Sequence, residues 1–379
     1  MFTFGFFLLV ASACIDADVT PARYRIQLDS PPSARWNQVV DDHLQYLPQL
    51  LEEVAQLVPS SDQSEVYKLA ENLRNFLPEE YANELEGIAN RTGLPMGEIV
   101  ILNVIYDLTS YNTSRILFQG CTGILACDEN GRILHGRNLD YMMQNLLRNI
   151  TILVDFYRGE KLVYSGTTFA FYTGLLTGQR PGGFTVSLNQ RYSGSFTENL
   201  LAAVVTKFQN PVSFLIRRTL DEESSFARAV DRLSSTHIIA PCYMIVGGMT
   251  EYEGAIISRD RWSAADVQTL NETNWFLVQT NFDHWNEEND DGRKPTAVEL
   301  LSELDRSDLN ATSIFEILSA PPVRNDLTIF SGVMSAAAPA VLFDTTMIAI
   351  VEIPTTNEVT TAGSSILFSF ACVFYVIWR

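Results

Sequence analysis

Three residues in one short stretch could do chemistry together. Cys121, Arg137 and Asp140 lie in Cys-Thr-Gly-Ile-Leu-Ala-Cys-Asp-Glu-Asn-Gly-Arg-Ile-Leu-His-Gly-Arg-Asn-Leu-Asp, which runs from Cys121 to Asp140. An apolar run from Thr122 to Cys127, the turn pair Asn130-Gly131 and a second run from Arg132 predict a β-hairpin. With Asn130 and Gly131 as a two-residue loop, Glu129 stands opposite Arg132 and Cys121 opposite Asp140, with Cβ atoms roughly 4.5–5.5 Å apart on one face. Arg137 falls on the other face, so a bulge, which Gly136 would permit, is needed to bring its guanidinium to the thiol. A thiol of ordinary pKa, about 8.5, is mostly protonated at neutral pH, so it becomes a nucleophile only beside a base and cationic neighbours. Taken by itself, the spacing fits an ordinary core hairpin with a buried free cysteine better than it fits a catalytic site.

The wider sequence changes that balance. Cys121-Thr122, Gly131 and His135-Gly136-Arg137-Asn138-Leu139-Asp140 resemble the opening of the catalytic chain in the acid ceramidase and N-acylethanolamine-hydrolysing acid amidase family of N-terminal-nucleophile hydrolases. The similarity extends from about Tyr24 to about Ala336. It runs through Pro31-Pro32, Arg35-Trp36, Gly97-Glu98-Ile99, Leu176-Thr177-Gly178, Ser258-Arg259-Asp260-Arg261, Gln279-Thr280-Asn281-Phe282-Asp283-His284-Trp285 and Asp290-Asp291.

The resemblance implies a precursor cut at Gly120–Cys121, an α/β heterodimer, and Cys121 as nucleophile whose new α-amine is its own base. Asp140 would orient the amine, Arg137 would hold the thiol and the substrate carbonyl region, and Asn281 would donate to the oxyanion. Two departures stand out: Gly292-Arg293 where the family has two arginines, leaving Arg293 as the remaining candidate, and Gln190 where it has Glu. Within the family, Leu176-Thr177-Gly178, Ser187-Leu188-Asn189 and Ala240-Pro241 look like the ceramidase branch. Asp283-His284-Trp285 and Val333-Met334-Ser335-Ala336 look like the acid amidase branch.

The elements that must position these residues divide at Gly120. Before it, apolar residues from Trp36 to Leu57 recur at helical spacing, with Pro48 expected to kink or divide the helix. Val66–Phe76, Tyr81–Asn90 and Glu98–Leu108 predict three more helices. After it the pattern becomes strand-like at Ile152–Tyr157, Leu162–Gly166, Phe184–Leu188, Tyr243–Val246, Ala255–Ser258 and Trp275–Thr280. Helical stretches are read at Asn199–Gln209, Pro211–Leu220 and Ser225–Leu233. This is an α+β pattern, and the resemblance implies the four-layer αββα sandwich. The expected organisation is a signal peptide over 1–17, a helical alpha subunit or propeptide region over 18–120, a catalytic beta subunit over 121–350 and a tail over 351–379.

Composition bounds the setting. The chain has 379 residues, 46% hydrophobic and 19% charged, and a formal net charge of −19. Such a charge repels nucleic acid and suits an acidic compartment. An apolar N-terminus ending in Ala11-Ser12-Ala13 resembles a secretory signal, and sequons at Asn90, Asn112, Asn149, Asn271 and Asn310 agree with that route, towards lysosome or secretion. If Cys121 stays a thiol, Cys127 and Cys242 are the internal pair left to form either a bridge or two packed thiols. The apolar segment Ile366–Trp378 would span roughly 20 Å as a helix, short of a hydrocarbon core of about 30 Å, so it reads as a removed or tethering tail.

His43, His135, His237 and His284 show no metal-ligand spacing, there is no phosphate-binding loop and no nucleophile elbow, and no cofactor is expected. The partners expected are an N-acyl lipid substrate and a membrane or vesicle surface, with head group open between sphingoid base and ethanolamine. The competing class is a non-catalytic lipid-binding protein of the same fold.

Overall fold

The computed structural model describes residues 19–57, 70–72, 74–110, 120–207, 209–286, 291–337 and 343–347. The signal stretch, residues 66–69 and 73 of the helix read at 66–76, Asn112 and the tail lie outside the described residues; of that helix, 70–72 is helical and Arg74–Phe76 forms a 3₁₀ turn.

Two sheets face each other. The larger contains β1 (Ala22–Gln27), β4 (Thr151–Arg158), β5 (Lys161–Phe169), β6 (Thr177–Arg180), β7 (Phe184–Gln190), β8 (Cys242–Gly247), β9 (Gly254–Arg259) and β10 (Ala264–Thr269), in the order β1-β4-β5-β6-β7-β8-β9-β10. The smaller has the order β11-β2-β3-β12-β13, built from β2 (Thr122–Cys127), β3 (Ile133–Asp140), β11 (Phe276–Gln279), β12 (Thr328–Met334) and β13 (Phe343–Met347). Leu125, Cys127 and Ile133 on the inner face of the smaller sheet pack against Tyr243, Ile245 and Ile256 of the larger. On its outer face, Ile124, Ala126 and Leu134 share a core with Leu301 and Ile314 from the helices Arg293–Ser302 and Ala311–Ser319. The helices Val212–Glu222 and Phe226–Ser235 cover the outer face of the larger sheet. Helix, sheet, sheet and helix make the expected four layers.

Burial on both sides explains why β2 and β3 are buried along their whole length, as strands sandwiched between two layers must be. Asn310 caps the helix Ala311–Ser319 by accepting from Thr312 N and Ser313 N, and Gly136 lets that helix approach, since a Cβ there would overlap Ile314.

The segment before Gly120 differs from its expected description in one way, the strand β1, and its long amphipathic stretch is divided as expected. It is not wholly helical: β1 joins the larger sheet parallel to β4, with Ala22 opposite Ile152. The long amphipathic stretch is interrupted at Leu44–Tyr46 by a 3₁₀ turn, between Asn37–His43 and Leu47–Leu57. Pro48 therefore sits in the first turn of a new helix, where a missing N–H costs nothing, and does not kink one.

Helices Glu79–Thr92 and Met96–Thr109 follow. Glu84 from the first is fully buried against Arg217, with Oε1 2.7 Å from Nη2 and Oε2 2.5 Å from Nη1. Trp36 Nε1 donates to the same carboxylate at 2.8 Å, and Arg217 Nε donates to Tyr164 at 3.1 Å. Burial would raise the Glu84 carboxyl, but Arg217, Trp36 and Arg35 outweigh it and hold it below its ordinary value.

Candidate active site

The hairpin register differs by one residue from the expected one. Gly131 N donates to Asp128 O at 3.1 Å, Asp128 N donates to Arg132 O at 2.9 Å, and Gly131 takes φ 78°. The loop is thus three residues with glycine in the left-handed position, and the Asp128 carboxylate organises it by accepting from Asn130 N and Arg132 N. Thr122 pairs with Asn138 and Gly123 with Arg137.

A one-residue slip exchanges the faces. Extended by one pair, the register sets Cys121 against Leu139, which puts Arg137 on the thiol's face without any bulge. Asp140 turns instead to the outer face, so the expectation that Cys121 and Asp140 would oppose one another is overturned. The thiol still lies beside the end of β3, with Cys121 Sγ 3.9 Å from the Asp140 carbonyl oxygen. The cause is the loop: Asp128 closes it one residue earlier than the Asn-Gly pair suggests.

Arg293 ties the centre together. Its Nη1 donates to the Gly120 carbonyl and, at 2.8 Å, to the Cys121 carbonyl. Its Nη2 donates to Asn281 Oδ1 at 3.0 Å, and Asp291 holds the guanidinium through Nε at 2.9 Å and Nη2 at 2.7 Å. Asp140 Oδ2 lies 3.6 Å from Arg293 Nη1 and accepts from Asn325 Nδ2 at 3.1 Å. Burial pushes the Asp140 carboxyl up to about 6, against the opposing influence of Arg293, Thr328, Asn325 and Arg137. Gly292 has φ 88°, a region that favours a residue without Cβ, and Arg293 just after it is the guanidinium that reaches the site.

Asn281 lies two residues beyond β11, and its Nδ2 donates to Gln190 O at 2.7 Å. The amide expected to meet an oxyanion is thus turned to Gln190, and Arg293 is the donor to the Gly120 carbonyl. Gly120 is required there, because a Cβ would collide with the Asn281 side chain.

Behind the thiol is an apolar cavity of about 90 Å³. Leu50, Leu102, Ile105 and Tyr106, all before Gly120, line one part; Cys121, Arg137, Leu139, Met143, Leu147, Phe169 and Phe171 line the rest. Met143 and Phe171 have φ 59° and 70°, so two of its walls rest on backbone that side chains ordinarily avoid. Among the described residues no group of His, Cys, Asp and Glu is placed to hold a metal ion.

Away from the centre, Cys127 and Cys242 are free thiols, which decides against the bridge. Burial pushes Cys242 up to about 12. Asn90, Asn271 and Asn310 are exposed and Asn149 is half-buried. His135 is buried between Thr185 and Ser187, at 2.9 and 2.8 Å, and burial followed by Arg137 lowers it to about 3.

The site also contains residues given no role from sequence. Asn189, Asn325, Tyr106 and Tyr192 surround the centre. For Asn189 a signal existed: Thr185, Ser187 and Asn189 alternate with Val186 and Leu188, a pattern that marks a polar face, here turned towards His135 and Arg137.

A family model for the beta subunit of N-acylethanolamine-hydrolyzing acid amidase matches residues 19–77. N-acylethanolamine-hydrolyzing acid amidase of Caenorhabditis elegans is 49% identical over 334 residues, 88% of this chain and 94% of that protein. The chain belongs to the N-acylethanolamine-hydrolyzing acid amidase and acid ceramidase family. Acid ceramidase of Mus musculus is 34% identical over 334 residues, covering 82% of each chain. A solved structure of a C. elegans N-acylethanolamine-hydrolyzing acid amidase ortholog superimposes with a TM-score of 0.57 at 50% identity, over 60% of this chain and all of that one. Of these two named activities, the acid amidase has the higher identity, and the family model that matches is one for a subunit.

Proposed function

We infer that the chain is a cysteine amidohydrolase that cuts itself at Gly120–Cys121 and then hydrolyses the amide of an N-acyl lipid to a fatty acid and an amine. The observation that carries this reading is the Cys121 thiol in the wall of an apolar cavity with Arg137 beside it, while Arg293 donates to the carbonyl of the bond to be cut. An acyl chain enters the cavity by burying CH₂ groups at about 0.8 kcal/mol each. Relatives named as acid amidase and acid ceramidase support the substrate class.

In self-cleavage the Cys121 sulfur attacks the Gly120 carbonyl carbon, the C–N bond breaks as its nitrogen takes up a proton, and water then opens the thioester. The freed α-amine becomes the base for turnover. The thiolate adds to the substrate carbonyl, the amine product leaves with a proton, and water releases the fatty acid from the thioester. Arg293 and Asn281 are the donors for the oxyanion, with Asn281 released from Gln190 O once Gly120 withdraws.

The two pieces stay together as a heterodimer in this reading. β1 and the Glu84–Arg217 pair both join the segment before Gly120 to the part after it. An acidic compartment of the secretory route and a lipid surface complete the proposal. Among the described residues no helix is long and apolar enough to cross a membrane.

The test offers ceramide and N-palmitoylethanolamine to purified protein at several pH values. Hydrolysis of at least one, abolished in Cys121→Ala, is expected. Hydrolysis of neither lipid removes the assignment.

A further inference from the structure

Arg137 is 1% exposed, and the hydrogen bond that holds it is made to a neutral group: Nη1 donates to Asn189 Oδ1, while Nε has no hydrogen-bond partner. Asn189 is itself fully buried. Its Nδ2 donates to Gln279 O at 2.8 Å, to Thr280 O at 3.0 Å and, at a longer 3.4 Å, to Cys121 O. One amide from β7 thereby fixes the guanidinium beside the thiol, the end of the strand that leads into Asn281, and the backbone of Cys121.

We propose that Asn189 is a positioning residue that holds Arg137 at the thiol while leaving its positive charge unneutralised, so that the charge acts on the Cys121 sulfur. This rests on the reading of Cys121 as the nucleophile.

The residue type at 189 decides the charge at the thiol. An aspartate at 189 would fit the same volume, but its carboxylate would pair with Arg137 and cancel much of the field at the sulfur. It would also set negative oxygens against the carbonyls of Gln279, Thr280 and Cys121, which accept and do not donate. An alanine would leave the Arg137 donor and those carbonyls without their partner in a dry site. Only a neutral amide both accepts from the guanidinium and donates to the carbonyls. Among the described residues, the other charged or titratable groups around the sulfur are Asp140, Arg293, Tyr106 and Tyr192, with Tyr141 and Tyr172 on the wall of the same cavity. All are unchanged by the substitution, so they form a constant background.

The test is the pH dependence of Cys121 alkylation by iodoacetamide in the full chain, which requires no lipid substrate. Asn189→Asp is compared with wild type and with His135→Gln, a control that disturbs the same space between the sheets at a residue outside the site. In Asn189→Asp the pH of half-maximal alkylation should rise by at least one unit, and kcat should fall about tenfold or more at neutral pH with partial recovery at acid pH, where the new carboxyl is protonated. In His135→Gln the thermal midpoint should fall while the alkylation midpoint stays at the wild-type value. An alkylation midpoint in Asn189→Asp equal to that of wild type overturns the proposal, as does an equal rise in His135→Gln. Should Asn189→Asp not fold, Asn189→Ser is read instead, and an unchanged midpoint there has the same force. Failure of lipid hydrolysis in wild type, with the thiol titration behaving as described, would count against the proposed substrate and not against Asn189.

Discussion

Arg293 donates to the carbonyl oxygen of Gly120, the oxygen that would gain negative charge in the proposed attack of the Cys121 sulfur on the preceding bond. A donor aimed at such an oxygen in a dry site typically contributes about 2.7–4 kcal/mol to the transition state. Arg293→Ala should therefore slow self-cleavage about 100- to 1,000-fold, read from the appearance of the two pieces on a gel. Arg293→Lys should recover only part of that loss, because an ammonium cannot reach Gly120 O, Asn281 and Asp291 at once.

Gly120 has no room for a side chain, since a Cβ would collide with the Asn281 amide. Gly120→Ala should fold with a lowered thermal midpoint and cut itself at least tenfold more slowly. Asn281→Ala in the same chain should return part of the lost stability. The two changes are therefore expected to be non-additive in a double-mutant cycle, whereas additivity would place the strain elsewhere.

Stability should fall as the pH rises from about 4 to about 7. Burial pushes Asp140 up to about 6, and burial, opposed by its bond from Val212 N, pushes Asp107 up to about 7. An ordinary unfolded carboxyl titrates near 3.9, so over this interval the folded state binds more protons than the unfolded one. The stabilisation from both groups is complete below about pH 4 and is lost as the pH passes their folded values. Thermal midpoints measured across that range test this. Asp107→Asn should flatten the upper part of the decline.

Glu84 and Arg217 are a buried pair spanning the two sides of the proposed cleavage point. Glu84→Gln leaves an uncompensated buried guanidinium and should cost about 3–5 kcal/mol in chemical denaturation. Its effect should be larger after cleavage than before, because the covalent link no longer holds the pieces together. Gel filtration of the cleaved variant at low concentration would show separation.

Much of this was legible in the chain. The helices at 79–92 and 96–109 and most central strands announce themselves by periodicity, and the motif stretch around Cys121 is what singles out the residue proposed as nucleophile. What failed has physical causes. The Asn-Gly pair suggested a two-residue turn, but the Asp128 side chain bonds two backbone N–H groups and closes a three-residue loop, which moves Arg137 onto the face of the thiol. Strand β1 was hidden because an edge strand of six residues carries little periodic signal. Asn189 was hidden because a polar alternation is usually the wet side of a strand, and here it lines a seam between two sheets.

The central claim is that Cys121 cuts the bond before itself. N-terminal sequencing of protein incubated at about pH 4.5, where the raised carboxyls are largely protonated, beside Cys121→Ala, tests it most directly. The account predicts a wild-type piece beginning at Cys121 and an uncut variant. A wild type that stays whole yet hydrolyses lipid amides, or a Cys121→Ala chain cut at the same bond without added protease, would contradict it.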